Sequence, residues 1–234
     1  MAKANKKQEY TTEKVLDSLN ETAYKAENFF EKNSKIIIGV FGAIAIAAIG
    51  YFVYLKYVLE PKSEQAFTEM VQADEYFKQD SVLLALKGSP GSFMGYEQII
   101  ENYSGTDGAN IARYKAGVAY YKLGDFASAV SNLEKFSTDD NILLAQKNGM
   151  IGNALVNSNK IAEGLPYYVK AAEGTELEVL QTVYYTKAGQ IAMQLGKNAD
   201  ALKYFQTLAD KYPNANNGEV EKYIERLKYA TGGN

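Results

Sequence analysis

The chain has 234 residues, with 25 basic and 28 acidic side chains and a net charge of −3. It contains no His, no Cys and no Trp. These absences exclude Ser-His-Asp and Cys-His nucleophile systems, zinc sites built on imidazole or thiolate, thiol redox centres, and haem held by His or Cys. The acidic balance argues against a nucleic-acid binder, which needs a basic stripe to neutralise phosphates. No enzyme and no cofactor or metal are expected.

Residues 1–35 form a polar tail with seven Lys and six acidic residues. From Thr12 onward, Val15, Leu19, Ala23, Ala26 and Phe30 fall on one stripe at helical spacing. Thr12 is expected as the N-cap, with Glu13 in the first turn. Such a helix either docks on a partner or lipid surface, or serves as a solvated stem.

From Ile36 to Leu55 run twenty residues without a charge, IIIGVFGAIAIAAIGYFVYL, between Lys35 and Lys56. Twenty residues rising about 1.5 Å each match a hydrocarbon core about 30 Å thick. A transmembrane helix is therefore expected over residues 36–58, with Tyr51, Phe52, Tyr54 and Tyr57 at the headgroup level. The 35 polar residues before the run disfavour a cleaved signal peptide, and apolar character all round disfavours a core helix. Lys25, Lys32 and Lys35 precede the run within twenty residues, against Lys56 and Lys62 after it. That asymmetry predicts a cytoplasmic N-terminus and an exported C-terminal domain, residues 59–234. Gly39, Ala43 and Ala47 recur every four residues, a ridge that would let another membrane helix approach closely.

Three later segments align: Ile111–Phe136, Gln146–Ala172 and Thr182–Pro213. Each has a small-residue pair, a two-turn gap, a polar turn and a second amphipathic stretch. Their turn residues are Gly124, Asn159 and Gly196, a period of 35 and then 37 residues. The segments resemble the tetratricopeptide repeat, a pair of antiparallel helices of about 34 residues. Ala116-Gly117, Ile151-Gly152 and Ala188-Gly189 match its small pair. Tyr120 fits the aromatic position after it, where the other copies have Leu155 and Ala192. Ala129, Gly164 and Ala201 match the small position of the second helix, and Leu133, Tyr168 and Phe205 its large apolar position. Pro213 stands where the family ends a helix.

The fold class expected is thus all-α: an N-terminal amphipathic helix, a single transmembrane helix, and a tetratricopeptide α-solenoid. Pro61 to Asp80 and Phe93 to Tyr103 read as a degenerate first helix pair, separated by the insertion KGSPGS from Lys87. Asn217 to Tyr229 reads as a terminal capping helix, with Val220, Ile224 and Leu227 on one side. Asp139-Asp140 and Glu97/Glu101 could be offered as carboxylate pairs. Their spacing lacks the alternation of a calcium loop, and a solvated turn and cap is the expected role of the Asp pair.

The resemblance implies a groove lined by the first helix of each repeat, and hence protein partners. Its positions map to Tyr114, Tyr121 and Lys122, then Asn153 and Asn157, then Gln190, Met193 and Gln194. Tyrosines and amides suit extended polypeptide. The whole layout (tail, span, exported repeats) is similar to the bacterial ancillary Sec-translocon subunits, the YfgM-like family. That likeness implies an inner-membrane protein beside the Sec channel or a membrane-anchored foldase, with a periplasmic domain that hands exported chains to envelope chaperones. The alternative from the same layout is a scaffold for envelope assembly or cell division.

Overall fold

The computed structural model describes residues 2–213 and 218–230, with the side chains of residues 24, 25, 27 and 29 onward. Helices dominate, in the order α1 (Ala2–Tyr54), a π-helical turn (Leu55–Leu59), α2 (Glu60–Lys78), α3 (Val82–Lys87), β1 (Gly88–Ser89), β2 (Phe93–Met94) and α4 (Tyr96–Asn102). There follow α5 (Asp107–Lys122), α6 (Phe126–Lys135), α7 (Asn141–Asn157), α8 (Ile161–Glu173), α9 (Glu178–Gln194), α10 (Asn198–Lys211) and α11 (Glu219–Ala230). Contacts divide the chain into residues 1–58 and 59–234.

In the first unit α1 begins at Ala2, ten residues before the expected N-cap at Thr12. The intervening residues, AKANKKQEYT, are mostly strong helix formers without Gly or Pro, so nothing stops the helix earlier. The side chains of Val15, Leu19, Ala23 and Ala26 lie outside the described residues; Phe30 is 59% exposed. Among the described residues, one helix is long and apolar enough to cross a membrane. From Ile36 to Tyr54 none of its side chains is buried. α2 begins with Pro61 in its first turn, where the missing N–H costs nothing.

The second unit is a row of helix pairs, and one turn geometry repeats through it. At each pair's bend the chain enters the left-handed region, at Asp80 (φ 61°), Gly124 (81°), Asn159 (64°) and Gly196 (71°). In every case the same two backbone bonds close the first helix. For Gly124 they run from its N–H to the carbonyl of Tyr121 and from Asp125 N–H to that of Tyr120, at 3.1 and 3.0 Å. The helices of each pair then pack small against large. A Cβ on Gly117 would lie 2.6 Å from Leu133, on Gly152 2.9 Å from Tyr168, and on Gly189 2.5 Å from Phe205. Each partner lies sixteen residues after its glycine (117/133, 152/168, 189/205). Ala116, Ala129, Ala188 and Ala201 are fully buried beside them.

The first pair departs from the expected boundaries. α2 is its first helix, but the second helix is broken: α3 starts at Val82, the hairpin β1–β2 interrupts it, and α4 resumes. KGSPGS therefore lies inside the second helix and not between the two. Gly88 and Gly95 close the neck of the insertion, where a Cβ on either would collide with backbone of the other. At the far end α11 covers α10 through Val220 (2% exposed) and Leu227 (1%), while Tyr223 stacks on Phe205 at 4.6 Å. Asn217 of the expected capping helix lies outside the described residues.

Candidate functional site: the face of the first helices

The residues expected to line a groove lie on the first helices α5, α7 and α9, and polar side chains link α2 and these helices each to the next. Tyr121 accepts from Asn157 Nδ2 at 2.9 Å, joining α5 to α7. Tyr114 OH approaches Gln146 Oε1 at 3.5 Å and its ring packs on Phe136 at 5.1 Å. Lys122 Nζ lies 3.4 Å from Asp80 and 4.7 Å from the centre of the Phe77 ring. Gln190 Nε2 donates to Tyr223 OH of α11 at 3.3 Å, and Met193 packs against the core of the last pair. Gln194 is exposed. The eight residues thus share one set of helices. Tyr114, Tyr121, Asn153 and Met193 are half-buried, and Lys122, Asn157, Gln190 and Gln194 are exposed.

Two three-residue clusters on this face were not foreseen from sequence. In the first, Asp74 of α2 accepts from Tyr96 OH of α4 at 2.8 Å and from Lys115 Nζ of α5. In the second, Asn153 Oδ1 of α7 accepts from Tyr168 OH of α8 at 2.9 Å and from Lys187 Nζ of α9 at 2.7 Å. Each joins a second-helix tyrosine, a first-helix acceptor and a lysine from the next repeat. Their register was readable: Asp74 and Asn153 each stand six residues before the left-handed turn residue, Lys115 and Lys187 nine before. Burial pushes the Tyr96 hydroxyl well up, reinforced by its bond to Asp74. Burial likewise pushes Tyr168 up to about 12 and holds the Lys187 ammonium below the usual lysine range.

Beside the first cluster a cavity of about 270 Å³ opens between α2 and α5. Phe77, Tyr96, Tyr114 and Val118 wall it, with Asp74, Lys78 and Lys115 at its polar edge. Its dimensions suit one apolar side chain of a bound polypeptide.

One member of each carboxylate pair, Asp140 and Glu97, has a structural partner. Asp140 accepts from Leu143 N–H at 2.8 Å and caps α7. Glu97 takes both oxygens to Lys87 Nζ at 2.7 Å and also accepts from Tyr120 OH. Among the described residues no group of three or more acidic side chains is placed to hold a metal ion.

The tetratricopeptide-repeat family model matches residues 112–139 and 185–215. The chain carries tetratricopeptide repeats. Solved structures agree on the solenoid. A crystal structure of MamA is 16% identical with a TM-score of 0.56, covering 73% of this chain and 84% of that one. Another crystal structure of MamA is 15% identical at 0.53, covering 69% and 85%. A Podosopora anserina putative kinesin light chain with nearly identical TPR-like repeats is 13% identical at 0.54, covering 73% and 88%. No curated protein matches the sequence. The tetratricopeptide matches fall on α5–α6 and on the pair from Tyr185 onward. The repeats make the chain a protein–protein interaction module.

Proposed function

We propose that the protein is a single-pass inner-membrane protein whose periplasmic tetratricopeptide unit binds exported polypeptides. In this reading it is an ancillary Sec-translocon subunit that assists hand-over to envelope chaperones, and it acts by contact and not by catalysis. The observation that carries the reading is the uncovered apolar helix. From Ile36 to Tyr54 no side chain is buried, and Ile36, Phe41 and Ile46 are 67, 67 and 73% exposed. Leaving each such side chain in water forgoes roughly 1.5–3 kcal/mol of burial, a sum that a bilayer supplies. Gly39 has nothing within 4 Å of a Cβ position, so the ridge it forms with Ala43 and Ala47 is open to a partner helix such as one of the Sec channel. The face of Tyr114, Tyr121 and Asn157 is the client surface.

Photocrosslinking residues placed at Ala43 and Tyr121 in living cells test this. Channel subunits are expected from position 43, and unfolded exported chains from position 121. Adducts confined to wall-synthesis enzymes at both positions would favour the scaffold reading. Cysteines in the tail and at exposed Asp139 check the topology: membrane-impermeant reagent should label only position 139 in intact cells.

A further inference from the structure

The two clusters on the groove face differ in one group. Asp74 meets Lys115 with a carboxylate, whereas Asn153 meets Lys187 with an amide. The charge of Lys115 is balanced inside the fold. That of Lys187 is not: its bonds are to Asn153 Oδ1 and, at 5.5 Å, the face of the Tyr168 ring. No acidic side chain among the described residues pairs with it. A half-buried ammonium without a counter-ion carries a desolvation penalty that a carboxylate would relieve, and it is the reason the Lys187 ammonium sits low. One of its three N–H donors is engaged by Asn153, which leaves two for a ligand.

We infer that Lys187 is the anion receptor of the groove, and that its ligand is an acidic side chain within an extended polypeptide. This rests on the groove being a polypeptide-binding face, and it names which segments the groove selects. The surroundings fit a polypeptide. Gln190 and Gln194 continue the stripe of Lys187 along α9 at helical spacing, and both are exposed. Val183 lies one turn before, 42% exposed. Amides bond either backbone group, and the valine meets an apolar side chain. A single cation flanked by amides and a valine is a poor track for successive phosphates. Residues 56–234 carry 18 basic and 22 acidic side chains, so the net charge of this unit gives an acidic segment no general attraction, and a half-buried ammonium on the groove face without an acidic partner is what would hold it.

Full-length protein in detergent micelles is titrated with dye-labelled twelve-residue peptides of Ser, Thr, Ile and Tyr, with acetylated and amidated ends. One carries a central Glu, its twin a central Gln, and a third is the Gln twin with a free C-terminal carboxylate. The Glu peptide is expected to bind roughly tenfold more tightly than the Gln twin. Lys187→Met should equalise the two. Asn153→Asp supplies the carboxylate that the first cluster already has, and should abolish the Glu preference without lowering the melting temperature. Asp74→Asn frees Lys115 and should create a second site of the same preference. Equal binding of the Glu and Gln peptides by the native chain overturns the proposal while leaving the groove reading intact. Binding of neither overturns both. Preference for the free C-terminus alone makes the receptor one for chain ends and overturns the internal side chain, as does an Asn153→Asp protein that keeps the Glu preference.

Discussion

Gly189 and Phe205 occupy one space: a Cβ on the glycine would lie 2.5 Å from the ring. Gly189→Ala should therefore overpack the pair and cost roughly 1–3 kcal/mol in urea denaturation. Gly124→Ala meets open space but a φ of 81°, and about 1–2 kcal/mol of backbone strain is expected instead. A second substitution separates the causes. Phe205→Leu in the Gly189→Ala background should recover part of the loss, whereas in the Gly124→Ala background the two losses should add. Additive losses in both backgrounds would mean that ring and glycine do not share the space. These positions were legible in the sequence because Gly and Asn are the residues that turns and close approaches require. Asp80 was not, since an Asp in the left-handed region looks like any polar turn residue. The Asp74–Lys115 and Asn153–Lys187 contacts escaped for another reason: each joins helices 41 or 34 residues apart, and neither residue marks its partner.

At the scale of elements, the last helix is a test of how stability is shared. α11 contacts α10 and seals the apolar end of the stack with Val220 and Leu227. In a solenoid each pair is held chiefly by its neighbours, so damage at an end should stay near that end. Leu227→Ala should cost about 2–4 kcal/mol locally. By hydrogen exchange the amides of α11 and α10 should lose protection while those of α5 keep theirs. Uniform loss throughout would show that the unit unfolds as one cooperative block. α11 itself was readable from its apolar stripe. The split second helix of the first pair was not. α3 has six residues, too few to display a period, so in the sequence the insertion after it looks like a connection between helices. The start of α1 was misread because Thr12 looks like a cap, although the lysines and alanines before it are equally content in a helix.

At the scale of the whole molecule, tyrosine dominates the aromatic content, with 19 Tyr against 10 Phe. Buried hydroxyls give the repeat unit a characteristic alkaline limit. Burial raises Tyr96, Tyr114, Tyr120, Tyr167, Tyr168, Tyr184, Tyr185 and Tyr204, with Tyr120 and Tyr168 pushed up to about 12. An unfolded tyrosine ionises near pH 10. Because the folded values are the higher ones, the folded state holds more protons than the unfolded state between those limits. The contribution of each is therefore complete below about pH 10 and is lost as pH rises through its own folded value, which for Tyr120 and Tyr168 is about 12. Lys147 and Lys187, both held low by burial, work in the opposite direction: their penalty for carrying charge disappears as they deprotonate. Two lysines do not offset eight tyrosines. Alkaline titration should keep the helical signal of the repeat unit flat to about pH 10 and then lower it. The phenolate absorbance of the buried tyrosines should rise in the same step. A phenolate titration that completes near pH 10 while helicity persists to pH 12 would mean that these hydroxyls are open to water and that the polar ladder between repeats is not closed.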